Sequence, residues 1–273
     1  MGAGMTRKAL PLLALAMGLS ALACAPALAG RSCEEKPMDA TVVVKAMSLA
    51  QKTQQALDDS GAEVALIARV GQDLSKYNLR YSHVALVWRD HPQGRWTVVH
   101  ELNECGTALS SLYNEGLGNF FMDDMYAYET EIVVPGAATQ ASLARLLTSN
   151  TPLRMHASRY NMLAYAYSTR YQNSNQWVLE TYAAASAPAG KVETREEAQA
   201  WLTKADYRPI TLKVPTMTRL GGRMFRANIA FDDHPFDRRM AGQIDTVTVD
   251  SVVRFIKQRD PETRDIVLAL DAK

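Results

Sequence analysis

Apolar and polar residues alternate along the chain with a few clear periods. From Asp39 to Asp58, Val42, Val43, Met47, Leu49, Ala50, Ala56 and Leu57 recur at helical spacing, and Ser60-Gly61 supplies a stop. Val64 to Val70 is a continuous apolar run of strand length. Tyr81 to Trp88 and Trp96 to Leu102 are two further β-rich runs, joined by the polar turn Asp90-His91-Pro92-Gln93-Gly94, which predicts a hairpin. A fourth strand is predicted over Glu131 to Pro135. Helices are predicted over residues 138–149 and 173–185, and from the capping box Thr194-x-x-Glu197 through Leu202. Pro209 to Val214 and Arg226 to Phe231 read as short strands, Ser251 to Gln258 as a closing helix, and Ser110 to Tyr128 as a loop holding one short helix. Helices and antiparallel-looking strands without strand–helix–strand alternation predict a single α+β domain over residues 30–273.

Residues 1–29 follow another rule. Arg7 and Lys8 precede the apolar stretch Ala9 to Ala23, and Ala27-Leu28-Ala29 supplies the small-x-small pattern of a secretory signal peptide cut before Gly30. The expected location is therefore periplasmic or secreted. A lipoprotein signal ending at Cys24 is the lesser alternative, because Ala21 stands where such signals carry Leu. No later stretch approaches the roughly 18 apolar residues of a membrane span. Lys and Arg number 30 against 29 Asp and Glu, and loss of Arg7 and Lys8 leaves 28 against 29, a mature charge of −1. That balance excludes a domain-wide basic surface and argues against a nucleic-acid partner. Cleavage leaves Cys33 and Cys105, for which an oxidising compartment favours a disulfide worth up to roughly 4 kcal/mol. The alternative keeps both thiols free, with Cys105 available as a nucleophile.

Five histidines are few enough to weigh singly. His83 and His100 lie in the two strands of the predicted hairpin, so both imidazoles can reach one cleft, although strand histidines more often serve packing. His91 lies in a turn, and His156 has no evident partner. His234, in Asp232-Asp233-His234-Pro235, matches no zinc or calcium spacing, so neither metal nor cofactor is expected. Asn173-Ser174-Asn175-Gln176 opens the Ala-rich helix, where polar residues serve as caps. Ser174 also occupies a position that suits a nucleophile with backbone donors for an oxyanion, provided that His83 can take its proton. Arg219 to Arg223 with Arg226 form a local basic cluster, read as solvated surface able to meet phosphate or carboxylate.

The runs Gly71-Gln72-Asp73-Leu74-Ser75, Tyr81-Ser82-His83-Val84, Val99-His100-Glu101-Leu102-Asn103, Tyr171-Gln172-Asn173-Ser174-Asn175-Gln176-Trp177 and Phe231-Asp232-Asp233-His234-Pro235 resemble the bacterial domain-of-unknown-function family 2145, a group of secreted proteins without an assigned activity. More distantly, a strand with Ser-His-Val, a second strand and a helix opening Asn-x-x-x-aromatic-Val resemble the circularly permuted NlpC-type papain fold, which includes lecithin:retinol acyltransferase-like enzymes. That resemblance implies a base at His83 and a nucleophile at Ser174, where the superfamily has cysteine. It puts an orienting group at His100 or Glu101.

Two functions follow as expectations. One is a serine hydrolase or acyltransferase acting on cell-envelope amide or ester bonds, with catalytic His83, Ser174 and His100. Asn173, Asn175, Tyr171 and Trp177 would line its substrate site. The other is a catalytically inactive protein that binds an envelope small molecule, peptide or lipid in the same cleft, where Trp88, Trp96, Trp177 and Tyr171 could stack against it.

Overall fold

A computed structural model of the chain describes Met1, residues 38–123 and residues 125–270. The expected signal peptide, its cleavage site, Cys24 and Cys33 lie outside the described residues.

Helix α1 (Ala40–Ser60) begins where Asp39 accepts a hydrogen bond from Thr41 N and ends at Gly61, whose φ of 70° needs no Cβ. Then come strands β1 (Val64–Val70), β2 (His83–Trp88), β3 (Thr97–Asn103) and β4 (Ser110–Glu115), followed by helix α2 (Leu117–Met122) and strand β5 (Ala127–Val134). Helices α3 (Ala137–Leu147), α4 (Thr151–Arg154), α5 (Ser174–Ser186) and α6 (Arg195–Lys204) form the middle of the chain. The last third holds β6 (Ile210–Lys213), α7 (Thr216–Phe225), α8 (Phe236–Met240), β7 (Gln243–Thr246), α9 (Val249–Arg259) and β8 (Arg264–Ala269).

Six strands form one antiparallel sheet in the order β4-β3-β2-β1-β5-β8, and β6 with β7 forms a separate antiparallel pair. Both faces of the large sheet are covered, which explains why β1 is buried at every position and apolar at all but Arg69. Ala65, Ile67, Ala85, Val87, Val98 and Ile132 point to α1 and α2, where they meet Leu49, Leu57, Phe120 and Phe121. Val64, Leu66, Val84, Leu86 and Trp88 point the other way, toward Trp177, Val178, Tyr182 and the buried face of α9. The molecule is thus an α+β domain with a sheet between two helical layers.

The block from Ser110 is not the expected loop: β4 pairs with β3 from Val98↔Glu115 to Asn103↔Ser110. It is an edge strand, half exposed, and so lacks an apolar period. Arg226 to Phe231 is not the expected strand. Asn161 captures its backbone instead, accepting from Ala230 N at 3.0 Å and donating to Ala230 O at 3.0 Å.

A buried ion pair locks the helices behind the sheet. Glu180 on α5, fully buried, accepts from Arg195 Nε at 2.7 Å, Gln172 Nε2 at 2.6 Å and Gln199 Nε2 at 2.9 Å. The same guanidinium donates to Thr169 O and Tyr171 O, which fixes the chain entering α5. Arg195→Ala leaves the Glu180 carboxyl buried without its cation, and a loss of about 3–5 kcal/mol in urea-unfolding free energy is expected.

Candidate active site

Three elements meet at one end of the sheet. The β2–β3 ladder runs from Trp88↔Thr97 to Leu86↔Val99, and the strands part toward His83. The first turn of α5 fills the opening. Asn175 Oδ1 accepts from Val84 N at 2.9 Å and its Nδ2 donates to Ser82 O at 3.3 Å, so a side-chain amide completes the edge of β2 where β3 has left it. Asn173 is the N-cap, accepting from Gln176 N at 2.8 Å, while its Nδ2 donates to Thr246 Oγ1 at 3.1 Å. Ser174, 6% exposed, sits between these two anchors. Its N–H and that of Asn175 open the helix with no protein acceptor among the described residues.

His83 and His100 share the face of the sheet that looks toward Phe120, and His83 Nε2 lies 2.9 Å from His100 Nδ1. His100 Nε2 lies 3.1 Å from Glu115 Oε1 on β4, close enough for ion pairing but off the line of a good hydrogen bond. The order of partners assigns the protons. A carboxylate only accepts, so His100 carries its proton on Nε2 and accepts at Nδ1. His83 must then donate from Nε2, which leaves His83 Nδ1 as the basic nitrogen. Burial holds the His83 imidazole well below the usual histidine range, with the charges of Arg69 and His100 adding to the effect. Burial lowers His100 as well, partly opposed by Glu115. The neutral imidazole of His83 is the form able to take a proton.

Glu101 projects to the opposite face, toward α5. It is fully buried, and neither carboxyl oxygen has a hydrogen-bond partner of good geometry among the described residues. Burial pushes its pKa up to about 8; the nearby Ser110 hydroxyl and the Arg195 charge oppose the shift without cancelling it. Ser110 Oγ also lies 3.2 Å from His156 Nε2. Tyr160 joins this group. Burial pushes its phenol up to about 12, the Ser174 hydroxyl interacts with it in the opposite direction, and the Glu101 charge adds to the rise.

The structure thus brings Asn173, Ser174 and Asn175 to the open end of β2, with the His83 and His100 side chains on the α2 face of the sheet and α5 on the other. No hydrogen bond joins Ser174 to His83 in this structure. Asn173 and Asn175 are occupied by the backbone of neighbouring elements, and Trp177 is fully buried with its Nε1 on Pro152 O at 3.1 Å. Trp88 and Trp96 are buried as well. Tyr171 is half-buried between the guanidinium groups of Arg159 and Arg170, whose carbons lie 5.1 and 5.3 Å from its ring centre. Cys105, in the β3–β4 turn, is engaged in an interaction. His234 is buried with Nδ1 3.0 Å from Asp233 Oδ1, and no cluster of metal-ligating side chains occurs among the described residues. Glu115, Tyr160 and Arg69, which the sequence reading passed over, complete the surroundings. Arg69 stands 4.7 Å from the Phe120 ring and bonds Phe120 O and Asp123. Only the edge-strand register could have revealed Glu115, because Ser111, Tyr113 and Glu115 share the face of His100.

Sheet, covering helices and the buried histidine pair define the kind of molecule this is: an α+β domain with an ionisable cluster at the split end of its sheet. Residues 56–256 match the model of the family described as "Uncharacterized protein conserved in bacteria (DUF2145)", and the chain belongs to that family. No curated protein and no solved structure matches the chain.

Two outcomes follow for stability. Asn175→Ala removes both hydrogen bonds to β2, and a loss of roughly 2–3 kcal/mol in chemical unfolding is expected, against less than about 1 kcal/mol for Ser174→Ala. Glu101 binds its proton more tightly folded than unfolded, so stability falls as pH rises from 4.5 toward about 8. Glu101→Gln should flatten that slope and raise Tm at neutral pH by the equivalent of up to ~3 kcal/mol, leaving Tm near pH 4.5 almost unchanged.

Proposed function

We propose that this chain is a periplasmic or secreted serine hydrolase or acyltransferase acting on amide or ester bonds of the cell envelope. The observation that carries the reading is the chain His83–His100–Glu115, which leaves His83 Nδ1 unprotonated on the strand whose Ser82 O and Val84 N are bound by Asn175, the residue after Ser174. In the first step Ser174 Oγ bonds to the acyl carbon and passes its proton to His83 Nδ1. The carbonyl oxygen, now an anion, is received by the N–H groups of Ser174 and Asn175. The intermediate collapses as His83 returns the proton to the leaving amine or alcohol, and an acyl ester remains on Ser174. Water or an acceptor alcohol, deprotonated by His83, releases the acyl group and restores the serine. His100 holds the tautomer and orientation of His83.

A distant kinship with permuted papain-like enzymes supports the same roles, with serine replacing the cysteine. In the oxidising compartment that the leader implies, Cys105 would pair with Cys33 and tie the N-terminal tail to the β3–β4 turn. The second reading is an inactive envelope-binding protein with the same cleft. It is favoured by the Ser174 hydroxyl, which interacts with Tyr160 and makes no hydrogen bond to His83.

A fluorophosphonate probe read by intact mass separates the two. The expected result is a single adduct, absent from Ser174→Ala and slowed about 10²- to 10⁴-fold in His83→Ala. Because the His83 pKa is held below 6.5, the labelling rate should stay level as pH falls through that value, where an unperturbed histidine would lose its base form. No adduct, with an unchanged fold, would move the conclusion to the binding protein.

A further inference from the structure

The strongest unassigned feature lies away from the histidines, on α7 and α8. Four large apolar side chains stand in solvent there: Met217 is 79% exposed, Leu220 51%, Phe236 68% and Met240 60%. Met217 and Leu220 are three residues apart on α7, and Phe236 and Met240 four apart on α8, so each pair forms one side of its helix. The two helices adjoin through β6 and β7. Val214 N, at the entry to α7, donates to Gly242 O just past α8, and a Cβ at Gly242 would lie 3.0 Å from Val214 O and 3.1 Å from Arg219 Nη1. Glycine is thus required where the ends of α7 and α8 come together.

The charge around these side chains is mostly positive. From Lys213 to Arg226 the chain carries Lys213, Arg219, Arg223 and Arg226 and no acidic residue. Lys213 and Arg226 are exposed. Arg219 is turned inward onto Val214 O. On α8, Arg239 lies over the Phe236 ring, Arg238 is paired with Asp245, and Asp237 is the one exposed carboxylate. Two surface depressions of about 540 and 560 Å³ are lined by other elements, so this patch is not the wall of either.

We infer that α7 and α8 form a docking face for an anionic lipid surface, their four apolar side chains entering the interface and Lys213 and Arg226 meeting lipid phosphates. An interfacial helix combines exposed apolar side chains on one side with cations at its margin, and its binding weakens with salt. A protein partner would need a matching acidic, apolar surface. No helix among the described residues is long and apolar enough to cross a membrane, so contact would be peripheral. The inference does not depend on Ser174 chemistry.

The test is co-sedimentation of the full chain, and of the chain from Gly30 onward, with vesicles of phosphatidylethanolamine and phosphatidylglycerol, against vesicles of phosphatidylcholine alone. Binding to the anionic vesicles is expected in both forms, weakened at least about tenfold by high salt. Met217→Glu with Phe236→Glu should weaken it by a similar factor with circular dichroism and Tm unchanged, and Arg226→Glu should reduce it at low salt. Equal binding to neutral vesicles, no binding, or binding that survives the double variant would overturn the proposal. A dimer in sedimentation velocity that the double variant dissolves would also overturn it, by assigning the face to a second copy of this chain.

Discussion

Everything at the candidate site rests on the Asn175 side chain in the opening between β2 and β3. A sheet tolerates such an opening only if the backbone groups released from the ladder find other partners, because a buried unpaired N–H or C=O costs as much as a lost hydrogen bond. Val84 N and Ser82 O are the groups released, and the Asn175 amide satisfies both. One side chain thus closes the strand edge and fixes the start of α5. Asn173 secures the same turn from the other side through Thr246, and Arg195 holds the approach to it through Thr169 O and Tyr171 O. Ser174 is placed by its neighbours and contributes little to the fold itself.

Adjacent residues of β3 serve two different environments. His100 faces α2 and belongs to a chain of imidazoles ending at Glu115; Glu101 faces α5 among Ser110, Tyr160 and Arg195. Burial works on both sides by disfavouring charge. It keeps His83 and His100 as neutral imidazoles and keeps Glu101 protonated at neutral pH. Burial thus leaves a neutral base on one face of the strand pair and a neutral acid on the other, and the acid works against stability at neutral pH.

Much of the fold was legible because the central strands report burial directly. Val64 to Val70 and His83 to Trp88 are enclosed on both faces and read as strands, and Gly61 and Thr194 marked helix ends by capping chemistry that the structure contains. The edge strands were illegible for the converse reason. Ser110 to Glu115 and Arg264 to Ala269 are partly exposed, so neither carries a clean period. That gap hid Glu115, and with it the proton assignment of the histidine pair. Arg226 to Phe231 misled because a lone asparagine side chain, Asn161, can occupy the hydrogen-bonding groups of an extended segment without forming a strand. His83 and His100 could be paired from their hairpin, whereas nothing in sequence spacing told that Asn175 serves the strand edge.

The central claim is that position 174 and His83 are close enough to exchange a proton, and it can be tested whether or not the chain is an enzyme. Ser174→Cys introduces a thiol whose alkylation by iodoacetamide, located by peptide mass, can be followed against pH. If His83 Nδ1 faces that position, the thiolate forms as an ion pair, and alkylation should reach half its limiting rate well below the ordinary thiol pKa of roughly 8.5. Adding His83→Ala should return the midpoint to that ordinary value. A midpoint near 8.5 that the His83→Ala change leaves in place would contradict the account.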